Sequence, residues 1–194
     1  MQYGLYEFRK NIMSLIKTKL FFKNARLIRY PVFIRNKKNI IFSKGFTCGY
    51  NCRIESIVDE DYSGKIIFGE NVKIGDYVHI SAADLIEIGD NTLMASHIFI
   101  SDLDHGSYSG DICDNPLSIP DHRMLKTSKV RIGKNVWVGE NVTILKGVTI
   151  GDGSIIGACS LINKDVPSNS IVVGNPMKII KYYDEKEKKW EKKL

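Results

Sequence analysis

The sequence lacks any apolar run long enough to cross a membrane. Its most apolar N-terminal stretch, residues 12–22, is interrupted by Lys17 and Lys19. A membrane-spanning helix needs roughly 18 or more consecutive apolar residues, and a secretory leader needs an unbroken apolar core. The sequence therefore predicts neither a transmembrane segment nor a signal peptide, and we expect a cytoplasmic protein.

Cysteine is also scarce. The four cysteines are Cys48, Cys52, Cys113 and Cys159, and no two of them have C-x-x-C spacing. In a chain without an export signal, such a pattern supports neither a disulfide framework nor a thiolate zinc site. We predict reduced thiols and no bound metal.

The sequence has too few acidic residues to balance its basic ones, and the formal net charge is +6. The basic excess lies in residues 1–44 and 178–194, whereas the centre of the chain is nearly balanced. Because the charge does not form one central cluster, we expect no nucleic-acid partner. The basic termini can hold a polyanionic ligand, lie against the acidic inner membrane surface, or simply be solvated.

A six-residue repeat organises the second half of the sequence. Aliphatic residues recur at every sixth position: Ile132, Val138, Ile144, Ile150, Ile156 and Ile162. A period of six fits neither an amphipathic helix nor an ordinary meander, but it fits short strands joined by tight turns around a triangular prism. We therefore predict an all-β fold, a parallel β-helix with three hexapeptides in each coil. Glycine, asparagine and aspartate supply the corners.

The same frame is visible upstream, from Ile40 to Ile100, with an inserted turn at residues 61–65. Residues 101–129 break the repeat, and loops longer than about 15 residues tend to be functional. We predict three segments. They are a basic amphipathic helical cap over residues 1–38, the β-helix over residues 39–182 with its loop at 101–129, and a charged C-terminal helix over residues 183–194.

These features together resemble the hexapeptide-repeat acyltransferases. The motifs that carry the resemblance are Val136-Trp137-Val138-Gly139, the glycine-rich stretch 147–153, Lys164-Asp165-Val166-Pro167 and Gly174-Asn175-Pro176. Residues 20–26, 45–50 and 100–102 are further similar to lipopolysaccharide-biosynthesis O-acetyltransferases, near the galactoside, maltose and xenobiotic branch. The resemblance implies a left-handed β-helix and a homotrimer. It also implies acetyl-CoA as donor and a sugar hydroxyl of a bacterial surface polysaccharide, or of its precursor, as acceptor.

In this family the catalytic histidine stands at the base of the loop, and the matching residue is His105. A sugar hydroxyl is a poor nucleophile at neutral pH, and an imidazole with an ordinary pKa of about 6.5 can take its proton. The other ring nitrogen needs an acceptor. Asp102, Asp104 and a backbone carbonyl all stay open for that role.

The resemblance also implies binding residues. Those expected near the acceptor are His79, Asp104, Tyr108 and Trp137. Those expected along acetyl-CoA are Gly139, Ala158, Asn163, Lys164, Lys178 and Lys181. His97 falls in a hexapeptide turn and is expected to be a solvated corner.

Other readings use the same residues. A γ-type carbonic anhydrase would need His79, His97 and His105 to converge on zinc, although their spacing is unlike that family's close histidine pair. The prism could also be a trimeric scaffold or carbohydrate-binding protein, or an acetyltransferase for a small sugar or xenobiotic. In a further variant, Cys113 would carry the acetyl group as an acyl-enzyme.

Overall fold

The computed structural model describes residues 4–111 and 113–192, and they form a prism with three parallel sheets as its faces. Sheet A contains β1 (Leu27–Ile28), β4 (Thr47–Cys48), β7 (Lys73–Ile74), β10 (Leu93–Met94), β15 (Trp137–Val138), β18 (Ile155–Ile156) and β20 (Ser170–Val173). Sheet B contains β2 (Val32–Arg35), β5 (Cys52–Ser56), β8 (His79–Ala82), β11 (Phe99–Ser101), β16 (Thr143–Ile144) and β19 (Leu161–Ile162). Sheet C contains β3 (Ile40–Phe42), β6 (Lys65–Phe68), β9 (Leu85–Ile88), β14 (Val130–Ile132) and β17 (Thr149–Ile150).

The chain visits the three sheets in the order A, B, C and then repeats. Coils 1 to 6 run over residues 27–42, 47–68, 73–88, 93–132, 137–150 and 155–166. Trp137 pairs with Ile155, eighteen residues on, which confirms three hexapeptides to a coil. We call the corner between sheets A and B the AB edge, and name the BC and CA edges in the same way.

The interior is a column of stacked aliphatic residues. Ile80, Ile100, Ile144 and Ile162 occupy equivalent positions on sheet B, and all four are buried. At the end near coil 1 the filling is aromatic: Phe22, Phe42, Phe46 and Phe68 pack with ring centroids 4.5 to 5.4 Å apart. Burying side chains of this size supplies roughly 1.5 to 3 kcal/mol each.

Asparagine forms a ladder along the CA edge. Asn71, Asn91 and Asn135 have φ between 56° and 58°, the left-handed region that asparagine tolerates better than most residues. Their amides are hydrogen-bonded in series, from Asn71 to Asn91 and from Asn91 to Asn135, both at 3.3 Å. On the AB edge His97 is an exposed left-handed corner, as predicted, and its ring stacks on Tyr77 at 4.9 Å.

The helix α1 (Leu5–Phe21) lies across the free edge of β1. The Thr18 hydroxyl accepts the N–H of Ile28 at 2.9 Å, and the Ser14 hydroxyl accepts the N–H of Tyr30 at 3.2 Å. The prediction that the β-helix begins at residue 39 is wrong, because β1 and β2 already belong to sheets A and B. Residues 27–38 escaped recognition because they contain no glycine and only one asparagine corner, Asn36.

The predicted C-terminal helix is also wrong. The chain there forms an antiparallel hairpin, β21 (Lys178–Asp184) and β22 (Lys189–Lys192), which extends sheet A beyond β20. Asp184 accepts the N–H groups of Lys186 and Glu187 at 2.8 and 2.9 Å and so closes a turn. Tyr183 faces Trp190 across the hairpin with ring centroids 5.4 Å apart. The charged composition suggested a helix, but this cross-strand pair stabilises a strand conformation.

Candidate functional site

The loop that leaves the prism from coil 4, which we call the excursion, spans residues 102–129, and two paired strands close it at its base. Strands β12 (Leu103–His105) and β13 (Leu125–Thr127) pair antiparallel, so the predicted excursion loop at 101–129 contains a hairpin. Its base is held by Tyr62 from the inserted turn of coil 2. The Tyr62 hydroxyl accepts the N–H of Leu125 at 2.7 Å and donates to the Leu125 carbonyl at 3.3 Å. The hairpin that carries His105 is therefore fixed at the BC edge.

Asp102 anchors the point where the hairpin leaves the prism. Its side chain is buried, and its two oxygens accept the N–H groups of Ala83 at 2.8 Å and Asp84 at 2.9 Å. Burial raises the pKa of Asp102 above its ordinary value, although these N–H groups act in the opposite direction. Both carboxylate oxygens have partners in the neighbouring coil, so the geometry does not favour Asp102 as the group that orients His105.

The side chains around His105 are tied to the loop itself and to the next coil. Asp104 forms an ion pair with Lys146 at 3.1 Å. The Tyr108 hydroxyl donates to the His105 carbonyl and accepts from the Arg123 guanidinium at 2.8 Å. Within the described residues no side chain hydrogen-bonds to the exposed imidazole of His105, so its ring is open to a substrate.

Arg123 organises the outer part of the loop, and no motif or spacing in the sequence pointed to it. Its guanidinium donates to the Ser118 carbonyl at 2.6 Å and to the Ser118 hydroxyl at 2.9 Å. Asp114 stabilises the first part of the loop, where its carboxylate accepts the N–H of Ser107 at 2.7 Å. A pocket of 490 Å³ lies against this network, lined by Ser107, Cys113, Asp114, His122, Arg123, Met124, Leu125 and Lys126.

His79 lies on the outer face of sheet B, directly beside Phe99 in the strand that leads to the hairpin. Its Nε2 is 3.0 Å from one oxygen of Glu55, while Arg35 and Arg53 donate to the other oxygen at 2.9 and 2.8 Å. Burial alone would raise the pKa of Glu55, but hydrogen bonds from His79 and Arg53 outweigh it, and the pKa lies below its ordinary value. Glu55, which the sequence analysis missed, therefore fixes the ring of His79.

Trp137, Gly139 and Ala158 lie at the other side of sheet B. Trp137 projects from β15 and is 53% exposed, so the prism core does not need its indole. A Cβ added to Gly139 would lie 2.7 Å from the backbone nitrogen of Ala158. Glycine is thus required here for close contact between coils 5 and 6, and the two predicted residues touch at the AB edge.

The predicted basic residues are only partly brought together. Lys164 and Lys178 line one pocket of 420 Å³, with Asp165, Met177 and Ile179. Asn163 precedes Lys164 at the BC edge and is exposed. Lys181 is not among the lining residues of this pocket, and a β-bulge opposite Ile171 separates it from Lys178. Two lysines at the mouth of an open pocket suit the phosphates of coenzyme A as point charges.

The predicted site residues thus fall on two edges of the prism. His105, Asp104, Tyr108, Asn163 and Lys164 lie at or beside the BC edge, whereas Trp137, Gly139 and Ala158 are near the AB edge. Lys178 lies on β21 of sheet A and meets Lys164 in one pocket. Sheet B, which carries His79, lies between the two edges.

The described part of the chain has neither a metal-ligand cluster nor a membrane-spanning helix. Among residues 4–111 and 113–192 there is no group of three or more histidine, cysteine, aspartate or glutamate side chains placed to hold a metal ion. No helix in the same ranges is long and apolar enough to span a bilayer.

Comparison with known proteins identifies relatives over the whole chain. The family described as bacterial transferase hexapeptide (six repeats) matches residues 129–164. WbbJ of Escherichia coli, named for a proposed lipopolysaccharide biosynthesis O-acetyl transferase activity, is 42% identical over 98% of this chain and 96% of its own length. Galactoside O-acetyltransferase of Escherichia coli is 30% identical over 82% of this chain and 74% of its own length.

A solved structure agrees with these relatives. A variant of AntD, an N-acyltransferase from Bacillus cereus in complex with dTDP and coenzyme A, has a TM-score of 0.64 and 26% sequence identity. The match covers 95% of this chain and 92% of that chain.

Proposed function

Because the chain belongs to the bacterial hexapeptide-repeat O-acetyltransferases, left-handed β-helix enzymes with acetyl-CoA as donor, we propose that its acceptor is a sugar hydroxyl of a surface polysaccharide or its precursor. The polysaccharide is lipopolysaccharide O-antigen or capsule. One observation carries the assignment of the site. The exposed His105 and Lys164, which shares a basic pocket with Lys178, both lie at the BC edge, on coils 4 and 6, and these coils are roughly 10 Å apart along the prism at the usual strand spacing.

His105 acts as the general base. Its imidazole takes the proton of the acceptor hydroxyl as that oxygen forms a bond to the acetyl carbon, and the carbon–sulfur bond of the thioester breaks. The imidazolium then returns the proton to the departing thiolate, so that free CoA leaves as the thiol. Direct transfer of this kind needs no acyl-cysteine, and Cys113 plays no chemical part.

The remaining candidate residues bind the acetyl-CoA donor or the acceptor. Lys164 and Lys178 neutralise phosphates of the donor, with Asn163 beside them and Lys181 further along the basic hairpin. Gly139 and Ala158 form a flat wall for the pantetheine arm, and Trp137 packs against the acetyl or acceptor end. Since sheet B separates these two groups within one prism, the complete site combines the BC edge of one copy with the AB edge of another, in a homotrimer.

The acceptor lies against the outer face of sheet B. His79, whose Nε2–H is held by Glu55, offers its other ring nitrogen as an acceptor to a sugar hydroxyl. Asp104 and Tyr108 lie on and beside the hairpin that carries His105. Sugar hydroxyls are recognised by fixed donors and acceptors of this kind. The similarity to WbbJ supports a surface-polysaccharide acceptor over a free small sugar.

The test is release of free CoA from acetyl-CoA in the presence of sugar acceptors, including surface-polysaccharide precursors. We expect His105→Ala to lower acceptor-dependent release by roughly a hundredfold or more, because a positioned base contributes about that much. His122→Ala, in the same loop, is the matched control and should keep its activity. Cys113→Ala should also stay active. Activity that persists in His105→Ala would contradict the assigned base, and loss of activity in Cys113→Ala would support an acyl-enzyme instead.

A further inference from the structure

The helix α1 buries polar side chains and exposes its large apolar ones. Its two buried residues are the small polar Ser14 and Thr18, which hydrogen-bond to the backbone of the first coil. Its large apolar side chains are exposed by between 42% and 74%: Leu5, Tyr6, Phe8, Ile12, Met13, Leu15, Ile16, Leu20 and Phe21. An ordinary surface helix does the reverse and buries its apolar face.

Four of the exposed apolar residues form a stripe along one face of the helix, and Arg9 lies on the same face between the first two. Leu5, Ile12, Ile16 and Leu20 are spaced by seven, four and four residues, which places them on one face of a helix. At 100° for each residue this face lies opposite Ser14 and Thr18. The stripe therefore points away from the prism.

Basic residues accompany the stripe. The helix contains Arg9, Lys10, Lys17 and Lys19 but, among its residues, only Glu7 as an acid. The positive surface continues beyond the helix, because Lys23 follows it and Lys37 donates to the carbonyl of Phe21 at 2.5 Å. An outward apolar stripe among several cations is the pattern of a helix that lies in the interface of a membrane with anionic lipids.

We propose that α1 docks the protein on an anionic lipid surface, with its apolar stripe among the acyl chains and its cations at the headgroups. A second copy of the chain fits the same face less well, since each copy would bring four cations and one acid toward a basic neighbour. Docking would hold the enzyme where a lipid-linked acceptor is found. Docking through α1 does not depend on the identity of the acceptor.

The experiment is co-sedimentation of the full chain with vesicles of phosphatidylcholine, with and without phosphatidylglycerol, at low and high salt. We expect binding only to the anionic vesicles, weakened by salt because headgroup attraction is screened. The triple variant Ile12→Ser, Ile16→Ser, Leu20→Ser should bind at least about tenfold more weakly, since each change removes apolar burial. Its control replaces Leu117, Ile119 and Met124, exposed apolar residues of the excursion, by serine. The pair Lys17→Glu, Lys19→Glu should also weaken binding about tenfold, against Lys186→Glu, Lys188→Glu as control.

Circular dichroism and thermal unfolding establish that each variant is folded, so that loss of binding reports on the helix face. Failure of the wild type to bind anionic vesicles would overturn the proposal. Equal binding by the helix variants and their controls would do the same. Helix substitutions that dissociate the oligomer in sedimentation, without changing lipid binding, would show that a second copy covers this face and would refute lipid docking.

Discussion

Asp102 uses both of its carboxylate oxygens to accept backbone N–H groups from the neighbouring coil, at the residue before the hairpin begins. Burial alone would make a carboxylate unfavourable here, and the N–H groups compensate for it. The neighbouring Asp104, two residues on, is instead exposed and paired with Lys146. Two acids of the same short segment therefore have different roles.

We predict that Asp102→Ala destabilises the protein by about 2 to 4 kcal/mol, because it leaves two buried N–H groups without acceptors. Asp104→Ala removes an exposed ion pair and should cost no more than about 1 kcal/mol. Denaturant unfolding followed by circular dichroism measures both free energies. Equal stability of the two variants would contradict the anchoring role of Asp102.

At this scale the sequence allowed some candidates to be named and not others. The resemblance to the acyltransferase family was enough to name His105, Lys164 and Lys178 as candidates, because each matches a position in that family's motifs. Glu55, Tyr62 and Arg123 were missed because they act through contacts made across coils or across the loop. The contacts of Tyr62 and Arg123 depend on the lengths of the insertions at residues 57–64 and 102–129, and those of Glu55 depend on which polar side chains neighbouring strands of sheet B place side by side.

The excursion is an element in its own right, built on Arg123. This one guanidinium contacts the Tyr108 hydroxyl and the Ser118 hydroxyl and carbonyl, so it connects the two ends of the loop. Loops of this length are otherwise mobile, because few buried contacts hold them.

We predict that Arg123→Leu loosens the loop without unfolding the prism. Limited proteolysis should cleave within residues 106–124 several-fold faster than in the wild type, whereas the midpoint of thermal unfolding should stay nearly unchanged. Arg131→Leu, which removes an exposed ion pair with Glu87 on sheet C, is the control and should leave loop cleavage unaffected. A large fall in the unfolding midpoint of Arg123→Leu would mean that the loop and the prism unfold together.

Elements with a strict period could be predicted, and elements at the ends could not. The strands from β14 onward follow the hexapeptide frame because every coil repeats the same packing problem. The hairpin of β21 and β22 deviates because it is determined by a single pair, Tyr183 and Trp190, and by the Asp184 turn. Such one-time contacts leave no repeated trace in the sequence.

The whole molecule presents the candidate site in two parts, on the BC and AB edges. If trimer formation joins the BC edge of one copy to the AB edge of the next, two inactive variants can complement each other. A variant at His105 damages one edge, and a variant at Trp137 damages the other. Each mixed trimer then contains one site built from two intact edges.

We predict that His105→Ala and Trp137→Ala are each inactive, and that the whole trimer population formed by co-expression recovers about one quarter of wild-type activity. That fraction follows from random assembly, since half of the copies supply each intact edge. The control mixes His105→Ala with Lys164→Ala, both at the BC edge, and should give no more activity than the sum of the two. A mixture of the first pair that stays inactive would place the whole site within one chain.

The stacking of coils also produces a gradient of local stability along the prism. Each coil touches only its neighbours, so opening events start at the two ends, where α1 and the C-terminal hairpin can fray. Coil 4, from which the excursion leaves, has coils on both sides and lies far from either end of the prism. Amide hydrogens there should exchange with solvent most slowly, even though the excursion that leaves it exchanges fast. The chain thus carries its longest excursion on its most protected coil, so the excursion can be lengthened or replaced while the prism stays closed.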